Sequence, residues 1–239
     1  MAKVTKIRRH PTRPDRSPEL FPGKLKRFLV IDESGSGGFV AYCDTRRWWW
    51  VNEVEDGVKS RSTYVWMFVD DELVGVLDIR EYRMSWISND LLWRLMDSES
   101  KEAVDMAEIL IRCWRNVWED LASEGSIVLL SQLWVAQKHA RSSRWNDILQ
   151  QLLATRFKRR CMTVLKAFPL EYEAKGKQPG FRLRHQALIR LYRRVLGVEP
   201  FPGKPGHEGW LYAIPERVLG LGVRKPKKLL SIRRLTAND

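Results

Sequence analysis

No apolar run in the chain approaches the ~18–20 residues that would cross a bilayer, and residues 1–19 are basic without the apolar stretch of a secretory signal. A cytoplasmic protein with no membrane partner is expected. Cysteine is scarce: Cys43, Cys113 and Cys161 are far apart, odd in number and outside metal-ligand spacing. Each sits among apolar neighbours, so they read as small buried hydrophobes in a reducing compartment, and no metal site is expected. No internal repeat is visible.

What is present is a folded chain. Hydrophobic residues are 44% and charged residues 30% of the 239, a globular balance and not that of a disordered polymer. Eleven tryptophans need a real core or a deep groove to hide in. The formal net charge of +13 calls for a polyanionic partner, with solvated basic tails as the plain alternative. That charge gathers in three blocks: a Pro- and Arg-rich arm over residues 1–24, the stretch 156–194, and the tail from Arg224 onward. The expected organisation is a flexible basic arm (1–24), one domain (25–215) with helices inserted at about 88–124, and a basic tail (216–239).

Short strands are expected near 25–31 and 38–43, on either side of a glycine cluster that lacks the Gly-Lys-Ser/Thr ending of a phosphate loop. Trp48, Trp49 and Trp50 follow; core burial is the preferred reading and base stacking the alternative. Residues 62–70 and 72–79 alternate as a strand pair about the turn at Asp70 and Asp71. Helices are expected at 88–96 and 102–122, the second carrying Ala103, Met106, Ala107, Leu110 and Cys113 on one stripe, capped by Ser98 or Ser100 and closed at Gly125. The apolar run 127–136 reads as a strand buried on both faces. A helix bearing Trp145, Ile148, Leu149, Leu152 and Leu153 is next, then a strand at 161–168. A helix over 182–196 stops at Gly197, and a short strand lies at 210–214. Strand–helix alternation over this second half is α/β logic.

Three stretches carry a resemblance to the GNAT superfamily of acyl-CoA N-acyltransferases. Phe68-Val69-Asp70-Asp71-Glu72-Leu73-Val74-Gly75 is similar to that family's second and third strands. Leu133-Trp134-Val135-Ala136 followed by Ile148-Leu149-Gln150-Gln151-Leu152-Leu153 resembles its fourth strand, cofactor loop and third helix. Ala187-Leu188-Ile189-Arg190-Leu191-Tyr192-Arg193-Arg194-Val195-Leu196-Gly197 resembles a late helix that bears a tyrosine. Met96-Asp97-Ser98-Glu99-Ser100 is similar to a helical insertion of some bacterial members.

The resemblance implies an α+β, GNAT-like fold, with a mixed, mostly antiparallel sheet flanked by helices. Its fourth and fifth strands diverge, and acetyl-CoA or another acyl-CoA lies between them. It implies transfer of an acyl group to an amine, with the acceptor unknown. Leu133, Trp134 and Val135 would offer backbone groups to the pantetheine arm. The diphosphate would sit at Lys138, His139, Ala140, Arg141, Ser142, Ser143 and Arg144, at the start of the next helix. That loop has none of the family's glycines. Two accounts stay open: small serines leave the N–H groups accessible while the basic side chains assist, or Arg144 and Trp145 block the cradle. Tyr192 matches the residue that protonates the departing thiolate, and His185 lies near the pantetheine. The fourth strand supplies no carboxylate, so Glu81, after Asp78 on the preceding strand, is the candidate base. Two further readings remain: a non-catalytic acyl-CoA-binding or interaction protein, and an RNA- or tRNA-directed relative drawn by the basic segments.

Overall fold

The computed structural model of the chain describes residues 26–31, 39–52, 57–70, 72–84, 88–114, 123–139, 144–169, 179–223 and 225–226. The N-terminal arm, the glycine cluster, loop residues 140–143 and the end of the basic tail lie outside them. Along the described residues come β1 (Lys26–Ile31), β2 (Phe39–Thr45), β3 (Trp49–Trp50), β4 (Val58–Val69) and β5 (Glu72–Met84). Helices α1 (Asn89–Glu99) and α2 (Lys101–Trp114) then lead to β6 (Ser126–Val135). A single 3-10 turn (Gln137–His139), α3 (Arg144–Thr155), β7 (Arg160–Lys166) and α4 (Phe181–Leu196) follow. The last elements are β8 (Glu199–Pro200), α5 (Lys204–His207), β9 (Trp210–Ala213) and α6 (Glu216–Leu219).

The strands form one sheet in the order β1-β2-β4-β5-β6-β7-β9-β8, with β3 added beside β4. Every pair is antiparallel except β6 and β7, which run parallel through the α3 crossover. The fold is thus α+β, a mixed and mostly antiparallel sheet with helices on both faces. The tight turn expected at Asp70 is present, with that residue in the left-handed region (φ 49°).

Alternation along β6 separates two cores. Ile127 and Leu129 face the cluster covered by α1 and α2, with Met96, Met106 and Leu110 fully buried. Val128 and Leu130 face the cluster covered by α3 and α4, with Ile148, Leu152 and Phe157. Each such side chain contributes about 1.5–3 kcal/mol by leaving water. The first core reaches past residue 215, because Val218 of α6 is buried in it. The three cysteines are free and buried, as their neighbours suggested. Among the described residues no helix is long and apolar enough to cross a membrane.

Helix starts follow local chemistry. Ser88 Oγ accepts from Leu91 N at 3.2 Å to cap α1, and Ser100 Oγ accepts from Ala103 N at 3.2 Å at the head of α2. Of the two serines considered for that cap, Ser100 holds it; Ser98 donates back to Leu95 O at 2.7 Å. Gly197 ends α4 in the left-handed region (φ 63°), its N–H donating to Arg193 O. Two expectations need correction. The strand at 127–136 is buried on both faces only over its first half, since residues 131–135 keep partial exposure where β7 no longer accompanies them. The three tryptophans are not core residues either: Trp50 is 36% exposed, and Trp48 and Trp49 are half-buried.

Gly125 opens β6 rather than merely ending a helix. Its φ is 149°, and a Cβ there would stand 1.8 Å from Arg159 O. Gly125→Ala is expected to cost about 1–3 kcal/mol in backbone strain alone. At roughly 2–4 °C per kcal/mol for a chain of this size, Tm should fall by several degrees in a thermal melt. An unchanged Tm would mean that the close approach to Arg159 has no energetic weight.

Candidate active site

The site begins with one extra residue. On the β5 side, Asp78 pairs with Gln132 while Ile79 pairs with Leu130, so Ser131 is bulged out of the ladder. The bulge shifts the alternation: before it Val128 and Leu130 face the α3/α4 core, and after it Leu133 and Val135 do. On the other side, β6 pairs with β7 only from Ser126 to Leu130. Beyond Leu130, residues 131–135 are hydrogen-bonded to β5 alone, and Ala136 N donates to Val74 O. On its other edge β7 stays paired with β9 from Thr163 to Lys166, and Ala167 N donates to Gly209 O. Among the described residues the parallel ladder therefore ends at Leu130, and beyond it the β7-facing edge of β6 has no strand partner, an opening in the sheet.

Helix α4 covers one side of this opening. Leu188, Leu191 and Tyr192 pack on the same core as Leu133, Val135 and Ala136. The Tyr192 ring keeps some exposed surface, yet burial around its hydroxyl pushes the pKa up to about 12. A phenol so placed holds its proton at neutral pH. His185, two turns earlier, stacks on Phe181 with ring centroids 5.5 Å apart and abuts the end of β7. Gly209 makes that possible: with φ 91°, a Cβ on it would lie 2.3 Å from His185 Nε2 and 2.7 Å from Ala167 O.

The loop after β6 is partly described. Lys138 is exposed and ion-paired with Glu72 at the start of β5. His139 closes the 3-10 turn, its N–H donating to Ala136 O at 2.8 Å. Ala140, Arg141, Ser142 and Ser143 lie outside the described residues, and α3 starts at Arg144. Trp145 is buried in the α3/α4 core.

On the opposite face of the sheet the even-numbered residues of β5 meet α1 and α2 in a polar cluster. Arg80 Nη1 donates to Glu99 Oε1 at 3.2 Å, and Ser60 Oγ donates to the same oxygen at 3.3 Å. Asp78 Oδ1 and Ser131 Oγ are buried without a well-formed hydrogen bond among the described residues. Burial raises the Asp78 carboxyl above the ordinary carboxylate range, with Arg80 opposing. Burial also raises Glu102; the nearby Ser131 hydroxyl and Arg80 oppose this, while the Asp78 charge adds to it. Lys166 Nζ lies 3.8 Å from Asp105 Oδ2 at the edge of the cluster. Two carboxylates held in low dielectric beside a bulged strand are poised to take a proton.

Glu81 is placed differently. It is 3% exposed on the α3/α4 face, accepting from Ser126 Oγ at 2.5 Å and from Arg61 Nε at 2.6 Å. Its oxygens are engaged in a buried ion pair, on the face away from Asp78. Sequence reasoning passed over Glu102, which is on α2 and comes to the bulge only through tertiary packing. Strand alternation alone does put Asp78 and Glu81 on opposite faces, so that part of the signal was available. Among the described residues no three His, Cys, Asp or Glu side chains converge as metal ligands would.

No family model matches the chain, and no curated protein matches it. Among solved structures, AtaT complexed with acetyl-methionyl-tRNAfMet has a TM-score of 0.35 and 11% identity, covering 67% of this chain and 75% of that one. A mutant AtaT toxin bound to the C-terminus of the antitoxin AtaR gives 0.33 and 8%, over 69% and 73% of the two chains. The same mutant toxin with AtaR and acetyl-CoA gives 0.30 and 9%, over 68% and 74%. Likeness at that level carries no weight for this chain's chemistry, which its own geometry has to supply.

Proposed function

We propose that the chain is an acyl-CoA-dependent N-acyltransferase acting on an amine. The observation that supports this best is the end of the β6–β7 ladder at Leu130, which leaves the backbone of residues 131–135 open to an extended amide-bearing molecule. In this reading the pantetheine arm of acyl-CoA pairs with Leu133, Trp134 and Val135. Its diphosphate lies over the loop from Lys138 to Arg144, and His185 borders the arm. The neutral amine approaches from the face of Asp78 and Glu102. Its nitrogen attacks the thioester carbonyl, so a C–N bond forms and the C–S bond breaks. One of the two carboxylates accepts the amine proton, the role first assigned to Glu81, and Tyr192 Oη gives a proton to the departing sulfur.

The test is binding of acetyl-CoA, by calorimetry or thermal shift. At a hundred times Kd a ligand stabilises the fold by about 2.7 kcal/mol, so Tm should rise by several degrees. Arg141→Ala or Arg144→Ala should weaken binding, and affinity should fall with salt. Saturating acetyl-CoA that gives no heat and no thermal shift would sink the reading. The glycine-free loop favours a second one, a non-catalytic relative that binds acyl-CoA or a protein. Acetyl-CoA binding without thiol release from any amine would support it.

A further inference from the structure

A cavity of about 490 Å³ opens at the end of the sheet remote from the opening beside β6, around the start of that strand. Among the described residues its lining carries Arg83, Arg159 and Arg217, with Glu124 as the one carboxylate, beside Gly125 and Ser126. Three guanidinium groups against one carboxylate leave the walls with surplus positive charge. Arg217 Nη2 donates to Arg160 O at 2.6 Å and to Glu124 O at 3.2 Å, which fixes its position without neutralising it. Among the described residues no ion pair links Arg83 or Arg159 to a carboxylate. Next to Arg159, the Arg160 guanidinium donates through Nη1 to Leu153 O and Phe157 O, while its Nε is buried without a partner among the described residues. Burial and the neighbouring Arg217 charge both push the Arg160 pKa below its ordinary value, so an anion in the cavity would relieve the crowding.

Arg83 of the cavity lining also borders an aromatic surface. Trp50 pairs with Lys59, and Lys59 pairs with Arg83, so the three stand in one row across β3, β4 and β5. Neighbouring strands are about 4.8 Å apart, which puts Trp50 roughly 10 Å from the cavity wall. Lys59 Nζ lies 4.1 Å from the Trp50 ring centroid, and Trp50 as a residue is 36% exposed. Beside the row, Trp48 has both Arg61 Cζ and Arg83 Cζ at 4.5 Å from its ring, which holds the Arg83 guanidinium in place.

We propose that this cavity and the Trp50–Lys59–Arg83 row form a binding site for single-stranded nucleic acid, separate from the acyl-transfer site. Backbone phosphates enter the arginine-lined cavity, and an unstacked base lies on Trp50. A fixed cluster of guanidinium groups suits phosphate oxygens, and an exposed indole next to a cationic groove offers a base its π-face whatever the sequence. A duplex keeps its bases inside and gains nothing from the Trp50 ring.

The test is fluorescence anisotropy of the full chain with a labelled mixed-sequence oligoribonucleotide, a DNA duplex as control, and inorganic phosphate as competitor, over a range of salt. Arg83→Glu/Arg159→Glu should weaken single-strand binding tenfold or more and flatten the salt slope by about 1.4, the loss of two phosphate contacts. Trp50→Ala should weaken it by about fivefold to a hundredfold. Tm and the shift given by acetyl-CoA should stay as in the parent, so failure here is distinguishable from failure of the acyltransferase reading. If the double Glu variant does not fold, Arg83→Gln/Arg159→Gln should show the same slope change with a smaller loss of affinity. No binding by the parent chain, or parental affinity and slope in the folded variants, would overturn the site. Equal affinity for the duplex, or full competition by millimolar phosphate, would overturn its assignment to single strands.

Discussion

Asp78→Asn is expected to lower turnover by on the order of a hundredfold while raising Tm at neutral pH. The first half follows from the value of a positioned general base, typically a hundredfold or more. The second follows from burial, which lifts the Asp78 carboxyl above its ordinary range. Between the unfolded and folded values the native state binds more protons than the unfolded chain, so stability declines as pH rises through that window. Above it the cost of a buried carboxylate is present in full, and a neutral amide removes it. The parent rate should climb with pH through the raised carboxyl pKa, and the variant should lose that limb. Thiol release against an amine panel, with a melt at each pH, reads both. A parental rate in Asp78→Asn moves the role to Glu102, whose carboxyl is raised for the same reason. A parental rate in Asp78→Asn/Glu102→Gln would remove the cluster from the chemistry.

Tyr192→Phe should reduce turnover about a hundredfold and leave acetyl-CoA affinity nearly unchanged. With its pKa pushed up to about 12 by burial, the hydroxyl keeps its proton until charge develops on the departing sulfur. It therefore acts in the transition state and adds little to ground-state binding. The ring remains against Leu191 and its neighbours in either variant, so packing survives. Single-turnover thiol release beside calorimetric Kd separates the two effects. An unchanged rate would leave His185 or water as the proton donor, and a loss confined to Tm would mark a packing residue.

Much of the scaffold was legible because its determinants are local. The β4–β5 pair followed from alternation about Asp70. Helix α2 followed from its apolar stripe and the cap at Ser100, and the end of α4 followed from Gly197. The opening beside β6 came through the resemblance, since a strand's partner is not written in its own residues. Its cause was hidden: Ser131 and Gln132 interrupt an otherwise apolar run, but a polar pair does not say that one of them is an extra residue. The acidic cluster was hidden for a related reason, because Glu102 reaches Asp78 only when α2 folds over the sheet. Trp48 and Trp50 misled because composition argues for burying indoles, whereas Lys59, Arg61 and Arg83 give them cationic company at the surface. Glu81 was visible but not its binding to Arg61 and Ser126, which are distant in sequence.

The two walls of the opening in the sheet differ in how soon they can assemble. β4 and β5 meet across a tight turn, so their ladder closes with little loss of chain freedom. β6 must then dock on β5 from beyond α1 and α2, and β7 can pair with β6 only after the α3 crossover has been laid down. The opening therefore belongs to the late, non-local part of folding, and while it forms the unpaired edge of β6 is accessible to other chains. Helix α4 follows β7 along the sequence and packs on the same core as the end of β6. The same helix carries Tyr192, so the proton donor we propose is in place only once the vulnerable edge has been covered.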